Sequence, residues 1–217
     1  MSIQAVIFDM DGLLTDSESV GLTVMRQCGF LQNKDISLDL IRQTLGSNAE
    51  AASRLYHQTD PQIDTDKLFR DFRIAMHEMA LQGKIPLKKG ARELLSFLKE
   101  RNIPRAVASS SGMDTIRIYL EKANVLSDFT ALITSSGCEG MASKPAPDIF
   151  LKAASALHTA PESCLVLEDS INGVKAGRAA KMAVAMIPDM IPYSQALAPY
   201  CDWVLPDLSA VIPLLNV

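Results

Sequence analysis

Short apolar runs alternate with longer amphipathic stretches along most of this chain. In the amphipathic stretches, apolar residues recur at the three- and four-residue spacing of a helix, as at residues 91–100 and 115–123. Strands that alternate with helices predict βαβ units, and therefore an α/β fold built around a parallel sheet. The predicted strands span residues 3–8, 104–108, 131–134, 164–167, 183–187 and 203–205.

The interval between the first two predicted strands breaks this alternation, because it shows helical pattern alone. We expect an all-helical domain at residues 15–85, inserted after the first strand into a discontinuous α/β core at residues 1–14 and 86–217. Hinges are expected where the chain crosses between the two units, at residues 15–17 and 83–86. A long crossover connection without a domain of its own is the alternative. The candidate helices of the insert span residues 17–28, 38–45, 48–57 and 64–81.

The composition is that of an ordinary globular protein and argues against several classes of function. Of the 217 residues, 48% are hydrophobic and 21% are charged, and the net charge of −4 comes without any run of Lys or Arg. We therefore expect neither nucleic acid nor a membrane surface as a partner. Four scattered cysteines without a C-x-x-C pair argue against a zinc site or a disulfide framework. The N-terminus does not resemble a signal peptide, and no apolar run approaches the roughly 20 residues that cross a bilayer, so we expect a cytoplasmic monomer.

Polar side chains follow several predicted strands at the points where those strands end. Asp9 and Asp11 follow the first strand, and serines at residues 109–111 follow the second. Lys144 lies in a proline-fixed loop after the third strand, and an acidic pair at residues 168–169 ends the fourth. Because the carboxyl ends of parallel strands share one edge of a sheet, we expect these groups to converge there.

The converging groups suit the chemistry of phosphoryl transfer. Carboxylates from two strand ends provide oxygen ligands for Mg²⁺, which binds proteins through a few carboxylates together with phosphate oxygens. A lysine and serine hydroxyls at the same edge can hold the phosphate. An aspartate can attack phosphorus and form an aspartyl-phosphate, and a second acid can protonate the leaving oxygen.

These motifs resemble the signature of the haloacid dehalogenase superfamily. The first motif of its phosphatase and phosphomutase branch is similar to DMDGLLTDSE at residues 9–18, and the second to ASSS at residues 108–111. The third is similar to KPAPD at residues 144–148, and the fourth to EDS at residues 168–170. The resemblance covers essentially the whole chain. It implies a Rossmann-like core, with the helical insert as a cap over the sheet edge.

The resemblance implies catalytic roles for four of these residues. Asp9 would be the nucleophile and a ligand of Mg²⁺. Asp11 would be the general acid and base, and its backbone carbonyl would also ligate the metal. Ser109 and Lys144 would hold the transferring phosphoryl group, whose oxygens need positive charge around them.

The resemblance implies further ligands of the metal and of the substrate. Asp169 would ligate Mg²⁺, and Glu168 would either ligate it or orient a water molecule beside it. Other expected substrate contacts lie in the backbone of the first two motifs and in the cap, where the sequence signal is weakest. They are Met10, Gly12, Ser110, Gly46 and Asn48.

Two other reactions of the superfamily fit the sequence less well. Asp11 argues against dehalogenation, because the loss of halide needs no proton delivered to an alkoxide. Phosphonate hydrolysis in this superfamily uses a lysine of the cap, and Lys34 is the only lysine between the first motif and Lys67. Nothing in the sequence marks Lys34 as buried.

A phosphosugar mutase of the β-phosphoglucomutase type is the main alternative to a phosphatase. That branch carries cap residues that grip a second phosphate, and the corresponding positions here are Gly21, Leu45 and Ala49. Arg42 and Arg54 could substitute for the missing cations. We expect a Mg²⁺-dependent phosphatase that acts on a small phosphomonoester, such as a sugar phosphate or a related metabolite. A phosphometabolite-binding protein without catalysis is a further alternative, although no catalytic residue is missing.

Overall fold

The computed structural model describes residues 2–45, 47 and 49–215 of the chain. The strands are β1 (Ala5–Phe8), β2 (Arg105–Ser109), β3 (Ala131–Thr134), β4 (Cys164–Glu168), β5 (Ala183–Met186) and β6 (Trp203–Val204). The α-helices are α1 (Ser17–Phe30), α2 (Leu38–Gln43), α3 (Ala49–Thr59), α4 (Thr65–Leu81), α5 (Ala91–Glu100), α6 (Met113–Lys122), α7 (Asp148–Ala156) and α8 (Ile171–Ala179). Short 3₁₀ helices lie at Leu126–Asp128, Pro161–Ser163, Gln195–Tyr200 and Leu208–Leu215.

The six strands form one parallel sheet in the order β3-β2-β1-β4-β5-β6, which confirms the predicted α/β fold. In the centre of the sheet, Phe8 of β1 pairs with Val107 of β2 and with Leu167 of β4. The chain runs outward from β1 through β2 to β3, and then returns to the other side of β1 to form β4. A crevice for ligands forms at the carboxyl ends of the strands where the order reverses in this way.

Helices cover both faces of the sheet, so that the central strands are buried on both sides. Val6 and Phe8 of β1 pack into one apolar cluster with α5 and α6. Ala5 and Ile7 pack into a second cluster with α7 and α8. This double burial explains why β1 is a continuous apolar run rather than an alternating one.

Helices α1 to α4 follow β1 and pack around a third apolar cluster, in which Leu68 is completely buried. The two chain crossings between this insert and the core lie side by side. The backbone N–H of Asp16 donates to the carbonyl of Pro86 at 2.8 Å, and that of Lys88 donates to the carbonyl of Leu14 at 3.0 Å. The insert is therefore joined to the core through one hydrogen-bonded pair of segments. The expected domain boundaries and hinges stay predictions.

The observed elements follow the predicted ones closely. Each strand overlaps its predicted run and differs from it by at most two residues at either end. Helix α2 ends at Gln43, two residues before the predicted end, because the chain turns at Thr44 and Leu45. No described helix is long and apolar enough to cross a membrane.

Candidate active site

The carboxyl ends of β1, β2 and β4 bring the predicted catalytic side chains together. Asp9 directly follows β1, and its backbone N–H donates to the carbonyl of Leu167 at 3.0 Å. Ser109 is the last residue of β2, and Glu168 is the last residue of β4. These residues border the crevice at which the strand order reverses.

Lys144 lies in the loop before α7 and links several groups at this edge. Its Nζ donates to Oδ1 of Asp9 at 2.5 Å and to Oε1 of Glu168 at 2.6 Å. It also donates to the carbonyl of Ala108 at 3.2 Å. Burial favours the neutral amine, but the charges of the two carboxylates outweigh that effect and raise the pKa of Lys144 above its ordinary value. The side chain is therefore a fixed cation.

Asp9, Glu168 and Asp169 form a buried cluster in which one oxygen of each carboxylate lies within 4.8 Å of the others. Burial is the main cause that raises the pKa of Asp9 to about 8, against the opposing charge of Lys144. Burial and the neighbouring carboxylates raise the pKa of Asp169 well above its ordinary value. The single positive charge of Lys144 thus does not neutralise the charge of three ionised carboxylates. A hard divalent cation with oxygen ligands would restore the balance, so this donor set fits Mg²⁺.

Glu168 is fixed by hydrogen bonds on both of its carboxylate oxygens. Oε1 accepts from Lys144, as described above. Oε2 accepts from the backbone N–H groups of Asp169 and Ser170, each at 3.1 Å, and from the Ser170 hydroxyl at 3.0 Å. The Ser170 hydroxyl in turn accepts from the backbone N–H of Gly173 and caps α8. The start of α8 and the acidic cluster are therefore built as one unit.

Two glycines allow this close packing. A Cβ atom on Gly173 would lie 1.8 Å from the carboxylate of Glu168, so any side chain there would displace the carboxylate. Gly12 has a φ of 82°, and a Cβ atom on it would lie 2.4 Å from Oδ2 of Asp169. The glycine after Asp11 is thus required both by its backbone conformation and by the acidic cluster.

Asp11 has surroundings different from those of Asp9, because hydroxyl groups rather than an ammonium group contact it. Oδ2 accepts from Ser111 at 2.7 Å and from Ser109 at 3.2 Å. Oδ1 accepts from Ser17 at 2.8 Å. Three donors therefore fix the orientation of the Asp11 carboxylate.

Ser111 is one of the serines at residues 109–111 that the sequence predicts at this edge, but the sequence assigns no role to its hydroxyl, and Ser17 is not predicted as a site residue. Ser17 begins α1, six residues after Asp11, and Ser111 lies beyond the end of β2. Their position inside motifs one and two was the only signal available in the sequence. The pairing of β1 with β2 brings the Ser111 hydroxyl to this carboxylate, and the turn between β1 and α1 brings that of Ser17.

A cavity of about 630 Å³ opens between the core and the inserted helices. Asp11 and Ser111 lie at its core end, and residues of α1, α2 and α4 line its other walls. Its volume falls within the usual range of sites for small molecules.

The predicted substrate contacts outside the acidic cluster differ in burial and position. The Met10 side chain is completely buried, and its carbonyl accepts from the N–H of Thr15 at 2.9 Å and from the Thr15 hydroxyl at 3.1 Å. Ser110 is exposed just after β2. Gly46 and Asn48 lie outside the described residues. Which of these residues contact a substrate stays a prediction.

The cations that could have replaced the missing cap cations of a mutase are paired elsewhere. Arg42 contacts Asp39 at 2.9 Å on the exposed side of α2. Arg54 contacts Glu50 at 2.7 Å on α3. Neither arginine lines the cavity, although Gly21, Leu45 and Ala49 do. Lys34, the lysine considered for phosphonate chemistry, pairs with Asp60 at 2.7 Å.

Comparison with known proteins gives the family context of this site. The family model described as haloacid dehalogenase-like hydrolase matches residues 3–181. Hexitol phosphatase B of Escherichia coli K12 is 32% identical over 192 residues, which cover 86% of this chain and 84% of that protein. (DL)-glycerol-3-phosphatase 2 of Arabidopsis thaliana is 32% identical over 195 residues, which cover 87% of this chain and 80% of that protein.

A solved structure shows that the fold is shared over the full length. The structure of CbbY from Rhodobacter sphaeroides, in complex with phosphate, superposes with a TM-score of 0.78 at 21% identity. The match covers 99% of this chain and all of that one. At this level of identity, the similarity concerns the fold alone.

Proposed function

The chain belongs to the haloacid dehalogenase-like hydrolases, and on that premise we propose that it is a Mg²⁺-dependent phosphatase that hydrolyses a small phosphomonoester through an aspartyl-phosphate. The contact between Lys144 and Asp9 carries this proposal, because it places a fixed cation beside a buried carboxylate. The acidic cluster next to that pair, and Asp11 at the edge of a cavity, supply the other groups that the reaction needs.

In the first step, a carboxylate oxygen of Asp9 attacks phosphorus, and the bond between phosphorus and the ester oxygen breaks. Asp11 donates a proton to that oxygen, so that the organic part leaves as a neutral alcohol. Lys144 and the Ser109 hydroxyl hold the oxygens of the phosphoryl group during its transfer. Asp11 suits this role because it lines the cavity into which the organic part extends.

In the second step, water attacks phosphorus of the aspartyl-phosphate, and inorganic phosphate leaves. Asp11, now a carboxylate, accepts the proton of that water and so returns to its starting state. The hydroxyls of Ser17 and Ser111 keep its carboxylate in one orientation through both steps. The carboxylate of Asp9 is released unchanged.

Mg²⁺ would be held by the carboxylates of Asp9 and Asp169 and by the backbone carbonyl of Asp11. Glu168 is bound by Lys144 and by the start of α8, which favours a role in orienting water or the ligand cluster. When bound, the metal supplies positive charge against the phosphoryl oxygens and against the crowded carboxylates.

Phosphatase activity is favoured over mutase activity by the cavity. A mutase must hold a doubly phosphorylated intermediate, and the positions expected to grip the second phosphate are Gly21, Leu45 and Ala49. These residues line the cavity without providing a charge, and Arg73 of α4, which also lines it, is exposed at the rim. Phosphatases named for hexitol phosphates and glycerol 3-phosphate are relatives of this chain, which supports a phosphorylated metabolite as its substrate.

The purified protein can be assayed for phosphate release from a panel of phosphomonoesters that includes hexitol, glycerol and arylalkyl phosphates. We expect turnover with Mg²⁺, loss of turnover in EDTA, and recovery when Mg²⁺ is added back. Conversion of β-glucose 1-phosphate into glucose 6-phosphate without release of phosphate would support the mutase instead. Binding of phosphate without turnover of any ester would support the non-catalytic alternative.

A further inference from the structure

One face of α4 lines the cavity beside the candidate active site. Phe69, Phe72, Met76 and Ala80 follow one another at spacings of three and four residues, so their side chains share a face of the helix. Ile74 lies off this face, is 55% exposed, and does not line the cavity. We propose that this face of α4 selects the substrate, and that the alcohol released is apolar and ring-bearing rather than a polyol. The proposal rests on the phosphatase function proposed above.

The walls beside α4 are also apolar. Leu22 and Met25 of α1 and Ile41 of α2 line the cavity, and each is at most 8% exposed. Ile118 of α6 adds an apolar contact from the core. A ring placed in the cavity against these apolar residues would lose most of its contact with water, which favours its binding.

The described hydroxyl groups on the cap side of the cavity already donate within the protein. The Thr44 hydroxyl donates to the carbonyl of Ile41 at 2.7 Å, and the Ser47 hydroxyl donates to the carbonyl of Thr44 at 2.6 Å. A polyol in this space would therefore find few free donors for its oxygens. Leaving buried hydroxyls without partners costs binding energy, which disfavours such a substrate.

Polar groups are concentrated instead at the two ends of the cavity. At the core end, Asp11, Ser111 and Tyr119 lie where the phosphate ester would be, and Glu18 lines the same end beside Gly12. Arg73 and His77 on α4 line the cavity but are exposed, so they lie at its solvent-facing rim. The polarity of the cavity thus matches an ester at one end and an apolar group in the middle.

The proposal is tested with two primary phosphomonoesters, phenethyl phosphate and sorbitol 6-phosphate. Both release a primary alcohol, so a difference in kcat/KM reports mainly on recognition of the organic part. We expect kcat/KM to be at least about tenfold higher for phenethyl phosphate. Equal values, or a preference for sorbitol 6-phosphate, would overturn the proposal while leaving the phosphatase function standing.

Variants of α4 test whether its apolar face causes the expected preference for phenethyl phosphate. Phe72→Ala should lower kcat/KM for phenethyl phosphate about tenfold or more and leave that for sorbitol 6-phosphate within about twofold. Met76→Gln keeps a side chain of similar size and adds a hydrogen-bond donor. It should therefore reduce the ratio of kcat/KM for phenethyl phosphate to kcat/KM for sorbitol 6-phosphate. Ile74→Ala is the matched control, with both values expected at wild-type level. Equal losses for both substrates in Phe72→Ala and an unchanged preference in Met76→Gln would refute the role of this face.

If neither ester is hydrolysed, measurements of ligand binding still distinguish the proposed apolar site from the proposed phosphatase function. In that case the proposed phosphatase function fails, and calorimetry with phenylpropylphosphonate and methylphosphonate decides this inference. At least about tenfold tighter binding of phenylpropylphosphonate, lost in Phe72→Ala, would support an apolar site. Equal affinities would overturn it.

Discussion

Nζ of Lys144 lies 2.5 Å from Oδ1 of Asp9. Both side chains are nearly inaccessible to solvent, with exposed fractions of 8% and 11%. In such surroundings a single cation stabilises an ionised carboxylate far more than it would in water. The contact therefore ties the charge state of the candidate nucleophile to one lysine, which reaches it from a loop 135 residues away in the chain.

Replacing Lys144 by Ala should abolish measurable turnover, with a loss of at least about a hundredfold, because a donor to the transferring group is removed. It should also lower the free energy of unfolding by about 3 kcal/mol at neutral pH, since buried carboxylates lose their cation. Phosphate release and urea unfolding measure the two effects. Lys152→Ala, at an exposed position on α7, is the control and should change neither. Unchanged stability of Lys144→Ala would contradict the proposed charge balance.

Replacing Asp11 by Asn should slow turnover by about a hundredfold or more while phosphate still binds, because only the proton transfers are lost. Ser111→Ala should lower kcat by a smaller factor, about threefold to tenfold, because Asp11 loses one of its three donors. Ser155→Ala, at an exposed position on α7, should leave kcat unchanged. Steady-state kinetics measure kcat, and the inhibition constant of inorganic phosphate measures whether phosphate still binds. A near-normal kcat for Asp11→Asn would refute its acid and base role.

Replacing Gly173 by Ala should impair both stability and metal affinity. The added methyl group would lie 1.8 Å from the Glu168 carboxylate and would push it out of the acidic cluster. We expect a destabilisation of about 1–3 kcal/mol, as for an overpacked buried site. Gly112→Ala, where nothing lies within 4 Å of the new methyl group, is the matched control. The Mg²⁺ dependence of activity and the thermal unfolding of both variants measure the two effects. If Gly173→Ala matched Gly112→Ala in both, the Glu168 carboxylate would tolerate displacement and the prediction would be wrong.

Glu18 should make the stability of the metal-free protein depend on pH. Burial, followed by the charge of Asp189, raises its pKa from 4.5 to about 7. The folded state thus holds this proton more tightly than the unfolded state, and the stabilisation is complete below pH 4.5 and is lost as pH rises to about 7. Unfolding in EDTA from pH 4.5 to 8 should show wild type losing about 1–2 kcal/mol relative to Glu18→Gln, a value discounted for partial solvent access. A constant difference across this range would contradict the raised pKa.

The sequence predicted the fold and the converging strand ends because both follow from local signals. Buried parallel strands are continuous apolar runs, and the side chains that follow them must share one edge of the sheet. Asp9, Lys144 and Glu168 could therefore be placed together before any distance was known. The metal and catalytic roles of these residues stay proposals.

Other features of the site depend on packing that no local pattern encodes. The hydroxyls of Ser17 and Ser111 meet at Asp11 only because α1 and the end of β2 lie on either side of it. The helical pattern of α4 indicated an apolar face, but it could not show that Phe72 and Met76 line a cavity while they also pack against the apolar cluster of the insert. That outcome depends on how the insert sits over the sheet edge.

The central claim is that Asp9 attacks phosphorus, and Asp9→Asn tests it most directly. The asparagine is nearly the same size, so Lys144 and the rest of the site can keep their positions, while a nucleophilic carboxylate oxygen is lost. Phosphate release is measured with Mg²⁺ and the best ester of the panel, after circular dichroism confirms that the variant is folded. The account predicts turnover below about 1% of wild type, as expected when a nucleophile is removed. A folded variant that retains wild-type turnover would show that another group attacks phosphorus.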